Sequence, residues 1–137
     1  MADRIRRVDY YYIQVPDKPG EGMKVLGKLK EAGANLLAFT AFPVEGGKAQ
    51  IDLVAENGEV LNRAAKSGGL ILSARKQAFY IQGKDRAGAV ADTFKRLSDA
   101  KINVHAANAS VGPDGGFGFI LWVKPQQFEA AAKALGV

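Results

Sequence analysis

A chain of 137 residues with 47% hydrophobic and 24% charged residues has the balance of one globular domain or of two very small ones. It contains no cysteine and one histidine, which excludes disulfide scaffolds, thiolate metal sites, cysteine nucleophiles and histidine clusters. A net charge of +5 raises the question of nucleic acid. However, Arg4, Arg6 and Arg7 concentrate part of it in one stretch and the other cations lie near acids, so it reads as a solvated surface.

Residues 8–15, aromatic and β-branched, read as a strand, and Pro16-Asp17-Lys18-Pro19-Gly20 breaks it. Met23, Val25, Leu26, Leu29 and Ala32 recur at helical spacing until Gly33. Residues 36–42 and 49–55 read as strands around the turn Val44-Glu45-Gly46-Gly47. Asn57-Gly58 opens a short helix that Gly68-Gly69 ends, and residues 70–74 read as a fourth strand. The same script then repeats. Residues 79–82 are a strand, Val90, Phe94 and Leu97 mark a helix, residues 102–110 and 117–123 pair around Gly112-Pro113-Asp114-Gly115-Gly116, and Phe128, Ala131, Ala132 and Leu135 form a last helix.

The period of this repetition is 68 residues. Tyr12-Ile13-Gln14 returns as Tyr80-Ile81-Gln82, Asp17 as Asp85, Gly20 as Gly88, Leu29 as Leu97 and Asn35 as Asn103. The element order predicts an α+β fold of two ferredoxin-like βαββαβ units packed together, with antiparallel sheets and helices on one face of each. The expected division is 1–76 and 77–137. The second copy lacks residues for its fourth strand, and the offset sets residues 2–7 opposite 70–75. Residues 2–7 therefore read as the missing strand, the alternatives being a frayed tail or a strand for a partner chain. Residues 71–82 contain no turn signal and read as one long strand across both units.

Asp17-Lys18-Pro19-Gly20, its counterpart Asp85-Arg86-Ala87-Gly88, and Asn35 or Asn103 entering the next strand resemble the ACT domain. That family consists of small-molecule-sensing modules, mostly for amino acids, which commonly work in pairs and bind ligand between modules. The resemblance covers nearly the whole chain. The second copy departs from it, with Ala87 for the proline and Lys101 where the first has Gly33. It implies the ligand residues Asp17, Gly20, Glu21, Gly22 and Asn35, with Asp85, Gly88, Ala89 and Asn103 as counterparts.

Elementary chemistry supports the same residues. Gly20 and Gly22 would leave N–H groups uncovered at a helix N-terminus, where the dipole favours a carboxylate. Asp17 or Asp85 would take an ammonium group, and an asparagine amide both donates and accepts. Each aspartate reads equally as a plain helix N-cap, and a cap can also line a site.

Gly116-Phe117-Gly118-Phe119 resembles the aromatic strand of RNA-recognition motifs, which stack bases on an open sheet. Matching Gly46-Gly47 to Gly115-Gly116, an offset of 69, turns Ile120 and Trp122 toward the helices. Phe117, Phe119 and Leu121 then point from the other face, as a dimer contact.

The resulting expectation is a non-catalytic regulatory protein binding an amino acid or related metabolite at inter-module interfaces. It is expected to be cytoplasmic and homodimeric, with a regulated protein as a further partner and with no cofactor, metal or membrane span. Nucleic acid is not expected. An RNA-binding module and a ligand-free assembly partner remain the alternative readings.

Overall fold

In a computed structural model describing residues 2–137, the elements follow the order β1 (Arg4–Pro16), α1 (Glu21–Glu31), β2 (Leu36–Val44), β3 (Lys48–Ala55), α2 (Gly58–Ser67), β4 (Lys76–Lys84), α3 (Ala89–Asp99), β5 (Ala106–Val111), β6 (Gly116–Trp122) and α4 (Phe128–Leu135). Short 3-10 turns at Pro113–Gly115 and Pro125–Gln127 complete them. The chain forms two compact units, Asp9–Lys76 and a second in which the residues up to Val8 join Gln77–Val137.

In the Asp9–Lys76 unit the strands run β2-β3-β1, antiparallel throughout. Tyr11, Ile13, Ile51 and Leu53 alternate along one sheet face and bury against Val25 and Leu29 of α1 and Leu61 and Ala64 of α2. In the other unit, which also holds the start of β1 up to Val8, the strands run β5-β6-β4, again antiparallel. Phe79, Ile81, Phe119 and Leu121 bury against Leu97 of α3 and Phe128, Ala131 and Leu135 of α4. Phe79 and Phe128 stack with ring centroids 4.5 Å apart. Ile5 packs on this second core, and Arg7 reaches the Glu129 carboxylate at 3.0 Å.

The period holds down to single hydrogen bonds. Ile13 faces Ile51 and Ile81 faces Phe119; Pro43 faces Ala49 and Val111 faces Phe117. Each of these pairs maps onto its partner by 68 residues. The offset of 69 for the last hairpin is therefore wrong, and with it the facing of the aromatics. Phe117, Phe119 and Leu121 belong to the helix-covered core, where Phe119 is 2% exposed. They form neither a dimer contact nor a base-stacking platform, so the RNA-binding alternative loses the residues it rested on. Ile120 and Trp122 lie on the opposite sheet face.

Three strand expectations also change. No strand forms over residues 70–74. Ser73 donates its N–H to the Tyr12 carbonyl at 2.8 Å, but the Tyr12 N–H goes to the Ser73 hydroxyl at 2.9 Å. A side chain thus takes the place of the main-chain acceptor and the ladder stops. A bend at Ala74 interrupts the expected 71–82 strand, and the long strand is β1, with 13 residues. The strand expected from residue 102 begins at Ala106.

Helices α1 and α3 end alike. Gly33 has φ 75° and donates to the Lys30 carbonyl; Lys101, its counterpart, has φ 59° and donates to that of Ser98. A left-handed conformation costs a side-chain-bearing residue roughly 1–2 kcal/mol. Glycine avoids that cost but has more freedom to lose on folding. Lys101→Gly is expected to raise the unfolding free energy by about 0.5–1 kcal/mol, read from urea denaturation midpoints.

Candidate functional site

The two loops between strand and helix share one main-chain bond. The Asp17 N–H donates to the Gly47 carbonyl at 2.9 Å, and the Asp85 N–H donates to that of Gly115 at 2.8 Å. Each bond ties a loop to the hairpin turn of its own unit. Three residues on, Gly20 (φ 91°) and Gly88 (φ 78°) occupy the N-cap positions of α1 and α3 in the left-handed region. That region is open to glycine and strained for other residues, which accounts for both glycines.

Neither helix start is capped by a side chain. The contrast is α2, where the Asn57 side-chain oxygen accepts from the Glu59 N–H at 2.9 Å and the Val60 N–H at 3.3 Å. Asp17 and Asp85 are therefore not N-caps, and both are exposed. The first N–H groups of a helix have no partner inside it and carry the positive end of its dipole. At Gly20, Gly22 and Gly88 an added Cβ would meet nothing within 4 Å, so the backbone is open to close approach.

In the second-repeat unit Asp85, Gly88 and Ala89 share one cavity of about 290 Å3, whose other walls include Arg86, Ser110 and Phe117. Ala89 is otherwise a core residue, 5% exposed. Asn103 stands apart from that cavity and lines a groove of about 650 Å3 with Phe94 and Lys101. In the first-repeat unit Asp17, Gly20 and Asn35 are exposed and Gly22 is half-buried. Glu21 pairs with Lys24 at 3.2 Å.

Arg86 and Asp3 also meet at the second-repeat loop. Arg86 Nη1 and Nη2 donate to the two carboxylate oxygens of Asp3 at 3.0 and 3.1 Å, and Nη2 also to Asp92 at 2.9 Å. The Arg86 guanidinium lies 5.9 Å from the Phe117 ring centre. Arg86 was visible as part of the Asp85-Arg86-Ala87-Gly88 motif. Asp3 carried no signal, because 83 residues separate it from its partner.

One further polar group is embedded in the sheet of the first-repeat unit. Asp52, 8% exposed, accepts from the Gln50 amide at 2.9 Å, yet burial still raises its pKa above the ordinary 3.8. Burial, and then the Asp52 charge, push the Tyr10 hydroxyl up to about 12.

Searches against family models and curated proteins return no match. Solved structures do match over almost the whole chain. A protein of Bacteroides thetaiotaomicron superimposes with a TM-score of 0.77 at 15% identity, covering 96% of this chain and 88% of its own. The ligand-free regulatory subunit of aspartate kinase from Thermus thermophilus gives 0.61 at 16% identity, covering 98% and 94%. That of Thermus flavus gives 0.59 at 17%, with the same coverage. At these identities the likeness is one of fold, and the fold is the tandem ACT-type, ferredoxin-like arrangement.

Proposed function

We propose that this ACT-fold chain is a non-catalytic regulatory protein whose strand-to-helix loops bind a small amino acid or a related metabolite. The observation that carries the reading is the pair of uncapped, glycine-started helices, each with an aspartate three residues before the glycine. The Glu21 N–H already donates to the Lys18 carbonyl at 3.3 Å, and those of Ala89 and Ala91 to the Arg86 and Gly88 carbonyls at 3.2 and 3.0 Å. An α-carboxylate would take the N–H groups of Gly22 and Met23, or that of Val90, together with the dipole of α1 or α3. Asp17 or Asp85, with no capping duty, would take the α-ammonium group. Asn35 and Asn103 would then meet a ligand only if it extends beyond the loop, or if another chain brings them to it.

A homodimer and a separately encoded regulated protein are part of this proposal, as is a cytoplasmic setting. Regulatory subunits of aspartate kinase share the fold, which favours a module that senses over one that catalyses. Among the described residues no helix is long and apolar enough to cross a membrane.

The test is a thermal-shift screen of the protein against the standard amino acids. A specific ligand at a hundredfold excess over its dissociation constant should stabilise the fold by about 2.7 kcal/mol. A flat response to every amino acid, at concentrations up to about 10 mM, would overturn the amino-acid reading.

A further inference from the structure

The second of the two loops already holds a carboxylate. Arg86 and Asp3 meet through two parallel N–H···O bonds at 3.0 and 3.1 Å, the forked geometry by which a guanidinium recognises a free carboxylate. The Lys84 carbonyl and Asp92 take further Arg86 protons at 3.1 and 2.9 Å. Although it lies near the chain's start, the Asp3 side chain is only 12% exposed.

A gap in the strand makes this possible. Gly83 sits inside β4, where glycine weakens a strand and commonly marks the close approach of another group. A Cβ there would collide with the Asp3 carboxylate and with the Phe117 ring. The first repeat carries none of these residues at the matching places: Val15 stands for Gly83, Lys18 for Arg86, Ile71 for Asp3 and Lys24 for Asp92. The arrangement is therefore peculiar to the second loop rather than inherited from the fold.

We propose that Asp3 is an internal occupant of a carboxylate site, and that a carboxylate-bearing small molecule entering the second-repeat cavity takes Arg86 from it. The inference rests on the reading of these loops as ligand sites and adds how one of them is controlled. Arg86 lines the cavity of about 290 Å3 beside Asp85 and Gly88. That volume is near the lower end of small-molecule sites, roughly 300–1,000 Å3, and suits a small metabolite. With Asp3 in place, two carboxylates (Asp3 and Asp92) already pair with one guanidinium while Asp85 lines the same cavity, and an incoming anion is repelled. With Asp3 displaced, Asp92 still orients Arg86 and a ligand carboxylate restores the pairing. Docking of the start of β1 and filling of this cavity then exclude each other, a coupling that acts in both directions.

The experiment is calorimetric titration of the unmodified chain, Asp3→Asn, and the Asp3→Asn/Arg86→Ala double variant with L-aspartate, L-glutamate and succinate at matched ionic strength. Asp3→Asn is expected to bind at least one of these on the order of tenfold more tightly than the unmodified chain, since the competing state is removed. The double variant should lose that gain. A second reading uses the unmodified protein: saturation with the same probe should speed amide exchange over residues 4–8. Equal affinities in the unmodified and Asp3→Asn chains, or no binding of any probe to Asp3→Asn, overturns the inference. So does unchanged exchange over residues 4–8 when the probe is bound. An Asp17-dependent response in the amino-acid screen would still leave the broader ligand-binding reading standing, so the two fail separately.

Discussion

Phe119→Ala is expected to cost about 3–5 kcal/mol of unfolding free energy, the range for removing a buried aromatic from a packed core. Phe119 is 2% exposed, stacks against Phe117 with centroids 6.2 Å apart, and shares its core with Leu97, Phe128 and Leu135. A small domain holds only about 5–15 kcal/mol in total, so the variant should unfold at a much lower urea concentration. The measurement separates two facings of β6. Were Phe119 on an exposed docking face, its replacement would leave the urea midpoint near that of the unmodified chain and would weaken self-association instead.

The second large effect concerns binding and should leave stability almost untouched. Asp17→Asn keeps the shape of the loop and removes one negative charge. A hydrogen bond to a charged group is worth about 1.5–3 kcal/mol, so affinity for the amino acid should fall roughly 10- to 150-fold. Because Asp17 caps no helix, the unfolding free energy without ligand should change by less than about 0.5 kcal/mol, the usual range for a surface position. Loss of about 1 kcal/mol with binding intact would instead mark Asp17 as a structural residue. Isothermal titration and urea denaturation on the same preparation read both quantities.

Most of the architecture was legible because it rests on local signals repeated twice. Apolar spacing, glycine stops and turn residues fixed the order of helices and strands, and two copies at 68 residues corroborated each other. The facing of β6 was misread for a specific reason. Gly46 and Gly47 were matched to Gly115 and Gly116 by residue type. In the structure Gly47 and Gly115 correspond, each accepting from the aspartate of its loop, and Asp114 fills the left-handed position of Gly46 with φ 64° against 81°. A strand reverses its faces with a slip of one residue, so that single mismatch inverted Phe117, Phe119 and Leu121 together.

The absence of strand structure at 70–74 is a second case. Leu70 and Leu72 do alternate and do pack on the first-repeat core, which is what a strand pattern records. Ser73 has no apolar signature, yet its hydroxyl replaces the next ladder bond. At the candidate site, the motif residues and their glycines were readable. The sequence could not separate a capping aspartate from an uncapped one, since that depends on where the carboxylate points. The Asp3–Arg86 pairing was out of reach, because it joins the two segments of a unit whose chain is interrupted by the other.

The central claim, that the two strand-to-helix loops are ligand sites, is tested most directly by a nitrogen-15 amide titration with the amino acid that stabilises the protein. The largest shifts are expected on the amides of residues 17–23 or 85–90, and Asp17→Asn is expected to remove those in the first set. Shifts confined to other segments, or a spectrum unchanged by every standard amino acid, would contradict it.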